Sequence, residues 1–327
     1  VIGNVPNSAW RRFLLPPCAK LFVALAATSL IFVSPAFGIG EKASQKSFPS
    51  AEDAVQALST AYKRGDPKAV AIILGDKGLR LVSSGDPVID RYEREWFLSL
   101  YRQGHEVVAE SDSRVVLQLG KDEYPYPIPI VKEGERWRFD PQEGYEELLS
   151  RRISKTELSA LNLMVAFVDA QHEYHRQDHD GDGVFEYARK FGSSPDQQDG
   201  LYWKRKPGEA PSPLNGLVDA FLKEGYGPAK EGQLCVYRGY FYKMLMGQSA
   251  LAPGGARRYV VNGKMTGGFA MIAFPVRYGV SGVLTFMVNQ DGVVYQKDLG
   301  PRTLALGKEM ALFNPDTSWS KGERIDK

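Results

Sequence analysis

Cysteine is almost missing from this chain. Of 327 residues only Cys18 and Cys235 carry a thiol, and Cys18 lies in an N-terminal stretch expected to be removed. No internal disulfide is then available, so stability must come from packing or from a bound ion. Cys235 reads as a small buried hydrophobe rather than a nucleophile. A strong excess of either charge is also lacking, with 41 basic against 39 acidic side chains. Residues 1–38 hold Arg11, Arg12 and Lys20 and no acid, so 41 less these three leaves 38 basic against 39 acidic groups, a charge near −1. That balance gives no reason to expect nucleic acid or an anionic membrane as partner. Complete catalytic signatures are missing too. "GQSA" and "GVSG" lack the spacing of a nucleophile elbow, "GKMTGG" is neither a phosphate loop nor a dinucleotide fingerprint, and no H-E-x-x-H occurs. A scattered carboxylate pair of the glycosidase type is neither located nor excluded by spacing.

What is present begins with an export signal. Residues 1–38 combine a basic start, an apolar stretch from Leu21 to Val33, the helix-breaking Pro35 and the small residues Ala36 and Gly38. These are the regions of a secretory signal peptide, with cleavage expected after Ala36 or Gly38. The apolar stretch is well short of the roughly 20 residues that a spanning helix needs, so no stable transmembrane anchor is expected after cleavage. A Sec-type signal fits best. Arg11-Arg12 leaves twin-arginine export open, although Phe13 follows directly. The expected location is the periplasm or the outside of the cell.

A polar linker, residues 39–49, leads to two expected α+β segments, 50–150 and 151–327. In the first, Ser50 and Asp53 signal a helix start, with Val55, Leu58 and Tyr62 forming one apolar stripe up to Gly65. Asp66-Pro67 and Asp86-Pro87 start two further helices. The latter carries Ile89, Tyr92, Trp96 and Leu100 on one face and stops at Gly104. Strand-like runs follow, "EVVAE", "RVVLQLG", "YPIPIVKEG" and "RWRFD", with a hairpin at Glu133-Gly134. Pro125, Pro127 and Pro129 confine the third run to a sheet edge or a loop. In the second segment a helix opening near Ser154 should turn Leu158, Leu161, Val165, Val168 and Tyr174 to a core. A short helix is expected around Leu217 to Leu222. An antiparallel meander comes next, built from "QLCVYRGYFYKMLMG", "RRYVVNGK", "GGFAMIAFPVRYG", "GVLTFMVNQDG" and "VVYQKDLG", with tight turns at Asn262-Gly263 and Asp291-Gly292. Pro301 leads into a last short helix.

The stretch "HEYHRQDHDGDGVFEYARKF" holds the sharpest chemistry. Asp178, Asp180 and Asp182 occupy alternate positions and Gly183 supplies a sharp turn, as in the first half of an EF-hand loop. Calcium takes six to eight hard oxygens, and alternating carboxylates in a tight turn converge on one point. The Val184 carbonyl and the Glu186 carboxylate would fall at the seventh and ninth positions. Arg189 stands where the bidentate glutamate of a complete loop belongs, so water or an outside ligand must finish the shell. The corresponding affinity is about 10⁻⁴ to 10⁻³ M, and the bland alternative is a solvated turn that only ends the helix. His172, His175 and His179, spaced i, i+3 and i+7, form an alternative zinc set if the helix continues through them. Against it, Gly181 and the acids should end the helix before His179 is in register. Imidazoles near a helix C-terminus are also favoured by its dipole.

Taken with "YRGYFYKMLMGQSALAPGGARRYVVNGKMTGGFAMIAFPVRYGVSGVLTFMVNQDGVVYQKDLG", the motifs "DGDGVFEYA", "DGLYW", "SPLNGLV", "APGGA" and "NPDTSW" resemble the bacterial domain of unknown function 2950 (DUF2950) from about residue 48 to 320. That resemblance implies an exported bacterial protein and supplies no reaction. The helices followed by a curled antiparallel sheet look like a nuclear-transport-factor-2-like or cystatin-like fold. The long helix, variable loop and meander of the second segment resemble the globular half of type IV pilins and pseudopilins, which implies a structural calcium in the loop region. One departure is clear: the apolar N-terminal signal lies more than a hundred residues before the pilin-like helix, which leaves a shared fold rather than filament assembly. The reading is therefore an exported envelope protein of α+β class. It is expected to be a non-catalytic binding or assembly module for a protein or an envelope polymer, with a calcium-stabilised loop and no other cofactor. The alternative is a metal- or carboxylate-dependent hydrolase of envelope polymers.

Overall fold

The computed structural model describes residues 45–75, 77–227 and 234–322. The expected signal segment 1–38 and the linker up to residue 44 lie outside the described residues. Local signals set the first elements. The Ser50 hydroxyl accepts the amide of Asp53 at 3.0 Å, and helix α1 (Ala51–Arg64) starts there. Gly65, at φ 62°, ends it in the left-handed region that a residue without Cβ adopts freely. Asp66 and Asp86, each followed by proline, cap α2 (Pro67–Leu74) and α4 (Pro87–Gln103), with the short α3 (Gly78–Val82) between them. The stripe Ile89, Tyr92, Trp96, Leu100 is not the buried face of α4: Tyr92 and Trp96 are 52% and 42% exposed, and Phe97 enters the core instead.

The first sheet contains β1 (His105–Ser111), β2 (Arg114–Leu119), β3 (Tyr124–Pro125), β4 (Ile130–Glu133) and β5 (Arg136–Phe139). All pairs are antiparallel, in the order β1-β2-β4-β5, with β3 on β2. Strand β2 turns Val115, Leu117 and Leu119 to the core, the period-two alternation of a half-buried strand. Glu133 pairs with Arg136 across the expected hairpin. Pro127 and Pro129 fall outside the strands, as their missing N–H groups require.

Helix α5 (Tyr145–Tyr174) begins well before the expected Ser154, so the expected junction at residues 150 and 151 falls inside a continuous helix. Its first turns give Tyr145 and Leu149 to one hydrophobic cluster, with α1 to α4 and the first sheet. Further along, Ala160, Met164, Phe167, Ala170 and Tyr174 join a second cluster. Leu158 is not on the core face. It is 55% exposed, because the buried stripe runs through 160, 164, 167, 171 and 174.

The second half adds α6 (Asn215–Glu224), β6 (Cys235–Tyr237), β7 (Tyr240–Leu245), β8 (Gly247–Gln248), β9 (Arg257–Arg258), β10 (Val260–Val261) and β11 (Lys264–Met265). It continues with β12 (Ala270–Pro275), β13 (Leu284–Asn289), β14 (Tyr295–Asp298), α7 (Thr303–Glu309) and β15 (Ser320–Lys321). The large sheet has the order β15-β14-β13-β12-β7-β6, antiparallel throughout. The run "QLCVYRGYFYKMLMG" is not one strand. Arg238 and Gly239, at φ 45° and 79°, turn the chain so that Tyr237 pairs with Tyr240. The chain is α+β, and its described residues form one compact unit.

Polar contacts stitch the two halves of that unit together. Asp86, fully buried, accepts the amides of Val88 and Ile89 on one oxygen. Its other oxygen accepts the Tyr226 hydroxyl and the Gly239 amide, both at 2.8 Å. Arg152, 8% exposed, pairs with Glu93 at 2.5 Å and donates to the carbonyls of Arg80 and Leu81.

Candidate metal centre

Helix α5 ends at Tyr174, and the chain then turns sharply through Gly181 and Gly183, at φ 76° and 86°. Asp178 organises the turn. Its Oδ1 accepts the Gly181 amide at 2.8 Å and its Oδ2 accepts the Gly183 amide at 2.8 Å. Asp182 Oδ1 accepts the Val184 amide at 2.9 Å. These are short-range side-chain to backbone bonds of the kind that aspartate forms in turns. The same geometry leaves one oxygen each of Asp178, Asp180 and Asp182 within 4.8 Å of one another, the one group of three or more potential metal ligands among the described residues.

A lysine absent from the sequence reading completes the cluster. Lys264, just past the Asn262-Gly263 turn of the β10–β11 hairpin, places Nζ 2.7 Å from Asp180 Oδ2 and 2.5 Å from Asp182 Oδ2. Glu186 Oε1 is 3.7 Å away. Its other oxygen accepts the Met265 amide at 3.1 Å, and the Tyr187 amide donates to the Met265 carbonyl at 2.8 Å. The acidic loop is thus docked on the hairpin by backbone bonds and one ammonium.

Electrostatics follow the contacts. The Gly183 amide, with those of Gly181 and Asp180, holds the Asp178 carboxyl below the usual carboxylate range. Lys264 and then the Val184 amide do the same for Asp182. The flanking Asp180 and Asp182 push the Lys264 ammonium well above the usual lysine value.

The three histidines are not brought together. His172 makes edge contacts with Tyr187 and Phe269, and His175 stacks on Tyr187 at 4.2 Å. His179 stacks on Tyr174 at 3.9 Å, and its Nε2 donates to the Tyr174 carbonyl at 3.0 Å. His172 and His175 share the Tyr187 ring while His179 packs on Tyr174, because the helix stops before His179 and removes the register that would align all three. Val184 is 39% exposed, and Asp178 and Glu186 are the half-buried members of the cluster. Cys235 is half-buried against the second cluster, and burial pushes its thiol up to about 11.

The fold and the loop define an α+β protein whose solvent-facing acidic turn is counter-charged from a neighbouring hairpin. Residues 45–321 match the family described as Protein of unknown function (DUF2950), and the chain belongs to that family. No curated protein and no solved structure matches the chain.

Proposed function

We propose that this is an exported envelope protein that serves as a binding or assembly module, and that its Asp178–Glu186 loop takes up calcium. The observation that carries the calcium reading is the spacing of the aspartates. Two oxygens each about 2.3–2.6 Å from a common calcium can be no more than about 5 Å apart, and the three ligand atoms lie within 4.8 Å of one another. Lys264 bears on how the ion enters. Its ammonium rests between Asp180 and Asp182, so calcium binding exchanges a monovalent internal cation for a divalent one. Export rests on the composition of residues 1–38. The pilin-like reading of residues 151–327 rests on α5 lying against β12 and β13. No helix among the described residues is long and apolar enough to cross a membrane.

The test is thermal melting with added metal. Calcium at about 10 mM against a Kd of about 10⁻³ M adds about 1.4 kcal/mol, roughly 3–6 °C in Tm, with magnesium giving less. Lys264→Gln removes the competing ammonium and should enlarge the calcium shift, while Asp182→Asn should abolish it. No calcium shift in either the wild type or Lys264→Gln refutes the reading. Metal analysis of protein purified without chelator separates calcium from zinc in one measurement.

A further inference from the structure

A cavity of about 230 Å³ opens between the end of α1, the start of α2 and the first half of α4. Its walls include Tyr62, Val70, Leu81 and Val82, and its charged lining is Asp66, Asp90, Glu93 and Arg94. The volume falls below the roughly 300–1,000 Å³ of drug-sized sites, so an occupant must be small. The charges are unevenly committed. Glu93 gives both oxygens to Arg152. Asp66 uses Oδ1 alone, for the amides of Lys68 and Ala69 at 3.0 Å.

Asp90 and Arg94 are the unusual pair. They stand i, i+4 on α4, acid before base, the order that normally closes into an ion pair on a helix. Neither takes part in an ion pair among the described residues, and Arg94 has no hydrogen-bond partner among them either. Asp90 has Ser84 as its hydrogen-bond partner, the amide at 2.7 Å from Oδ1. Burial holds its carboxyl above the ordinary range, against the pull of Ser84 and Arg152. It therefore gains from a cation brought alongside. Arg94 offers the planar fork that matches a carboxylate. With Cβ atoms about 5–6 Å apart on one helix face, the two side chains leave room for both charged ends of one small molecule.

We propose that this cavity binds a free aliphatic α-amino acid, its carboxylate on Arg94, its ammonium on Asp90 and its side chain against Tyr62 and Val82. The inference does not rest on the calcium reading, and chelator present throughout the assay keeps the two separate. Calorimetric titration of the full chain uses three probes: L-leucine, isopentylamine for the ammonium half and 4-methylpentanoate for the carboxylate half. Leucine should bind, and each half should bind about tenfold more weakly or worse. Asp90→Asn keeps the acceptor for the Ser84 amide, and Arg94→Gln removes no hydrogen bond or ion pair among the described residues. Each should weaken leucine about tenfold or more. The proposal is overturned if leucine gives no heat, if either half binds as well as leucine, or if only one of the two variants weakens binding.

Discussion

Replacing Asp86 with alanine should destabilise the protein by about 4 kcal/mol, worked from what each oxygen holds. The side chain is wholly buried and receives four donors from three places in the chain. Loss of the α4 cap alone costs about 1 kcal/mol. The Tyr226 hydroxyl and the Gly239 N–H, left buried without their acceptor, cost about 1–3 kcal/mol each. The lower half of that range is reasonable for Tyr226, whose oxygen still accepts the Arg238 amide at 2.9 Å. For a unit of this size the sum corresponds to a Tm lower by roughly 8–16 °C. Asp86→Asn should fall between wild type and alanine, at about 2–3 kcal/mol, because its amide would face two donors while its oxygen keeps the cap. Equilibrium unfolding in urea, followed by tryptophan fluorescence and far-UV circular dichroism, measures both variants. An alanine variant within about 1 kcal/mol of wild type would show that the clamp between α4, Tyr226 and the β6–β7 turn is not a major contributor.

Other expectations follow from particular contacts. A Cβ on Gly144, at φ 78°, would lie 1.9 Å from the Pro127 carbonyl oxygen. Gly144→Ala should therefore cost on the order of 3 kcal/mol or more, whereas Gly134→Ala, strained but with open space, should cost about 1 kcal/mol; chemical denaturation ranks them, and equal losses would sink the steric account. Met164→Ala should cost about 2–5 kcal/mol and Leu158→Gln about 0.5 kcal/mol or less, the reverse of what the sequence stripe implied. Asp178 and Asp182 have depressed pKa values in the folded loop. Their contribution is present above the ordinary value, roughly 3.9, and is lost as pH falls through the depressed values. Lys264 has the opposite sign: its contribution holds below roughly 10.4 and is lost only as pH rises through its raised value. The Gly183 and Val184 amide resonances should accordingly shift only below pH about 4, and a midpoint at or above the ordinary value would contradict the described hydrogen bonds.

Much of the fold could be read from local chemistry. The Ser50, Asp66 and Asp86 caps, the Glu133-Gly134 and Asn262-Gly263 turns and the alternating β2 are each decided within a few residues, and each falls where it was expected. The misses share a different cause. Whether Tyr92 and Trp96 or Phe97 faces inward depends on where α5 and the first sheet lie, which periodicity along α4 does not contain. The Arg238-Gly239 turn lacked an obvious signal because arginine rarely takes a positive φ. The aspartate cluster was visible as spacing, but Lys264 was not. It lies 84 residues from Asp180 in sequence, and only the docking of the β10–β11 hairpin brings them into contact. The signal that could have raised it is modest: a lysine directly after an Asn-Gly turn stands at a hairpin end, where it can reach a neighbouring loop.

The continuity of α5 has a thermodynamic corollary. Since one helix contributes Tyr145 and Leu149 to one apolar cluster and Phe167 and Tyr174 to the other, neither cluster can melt without stripping a face from a rod that the other still holds. Calorimetry should record a single endotherm rather than two. A polypeptide ended at residue 150 would expose the interior of both remnants and favour aggregation over a smaller stable fold.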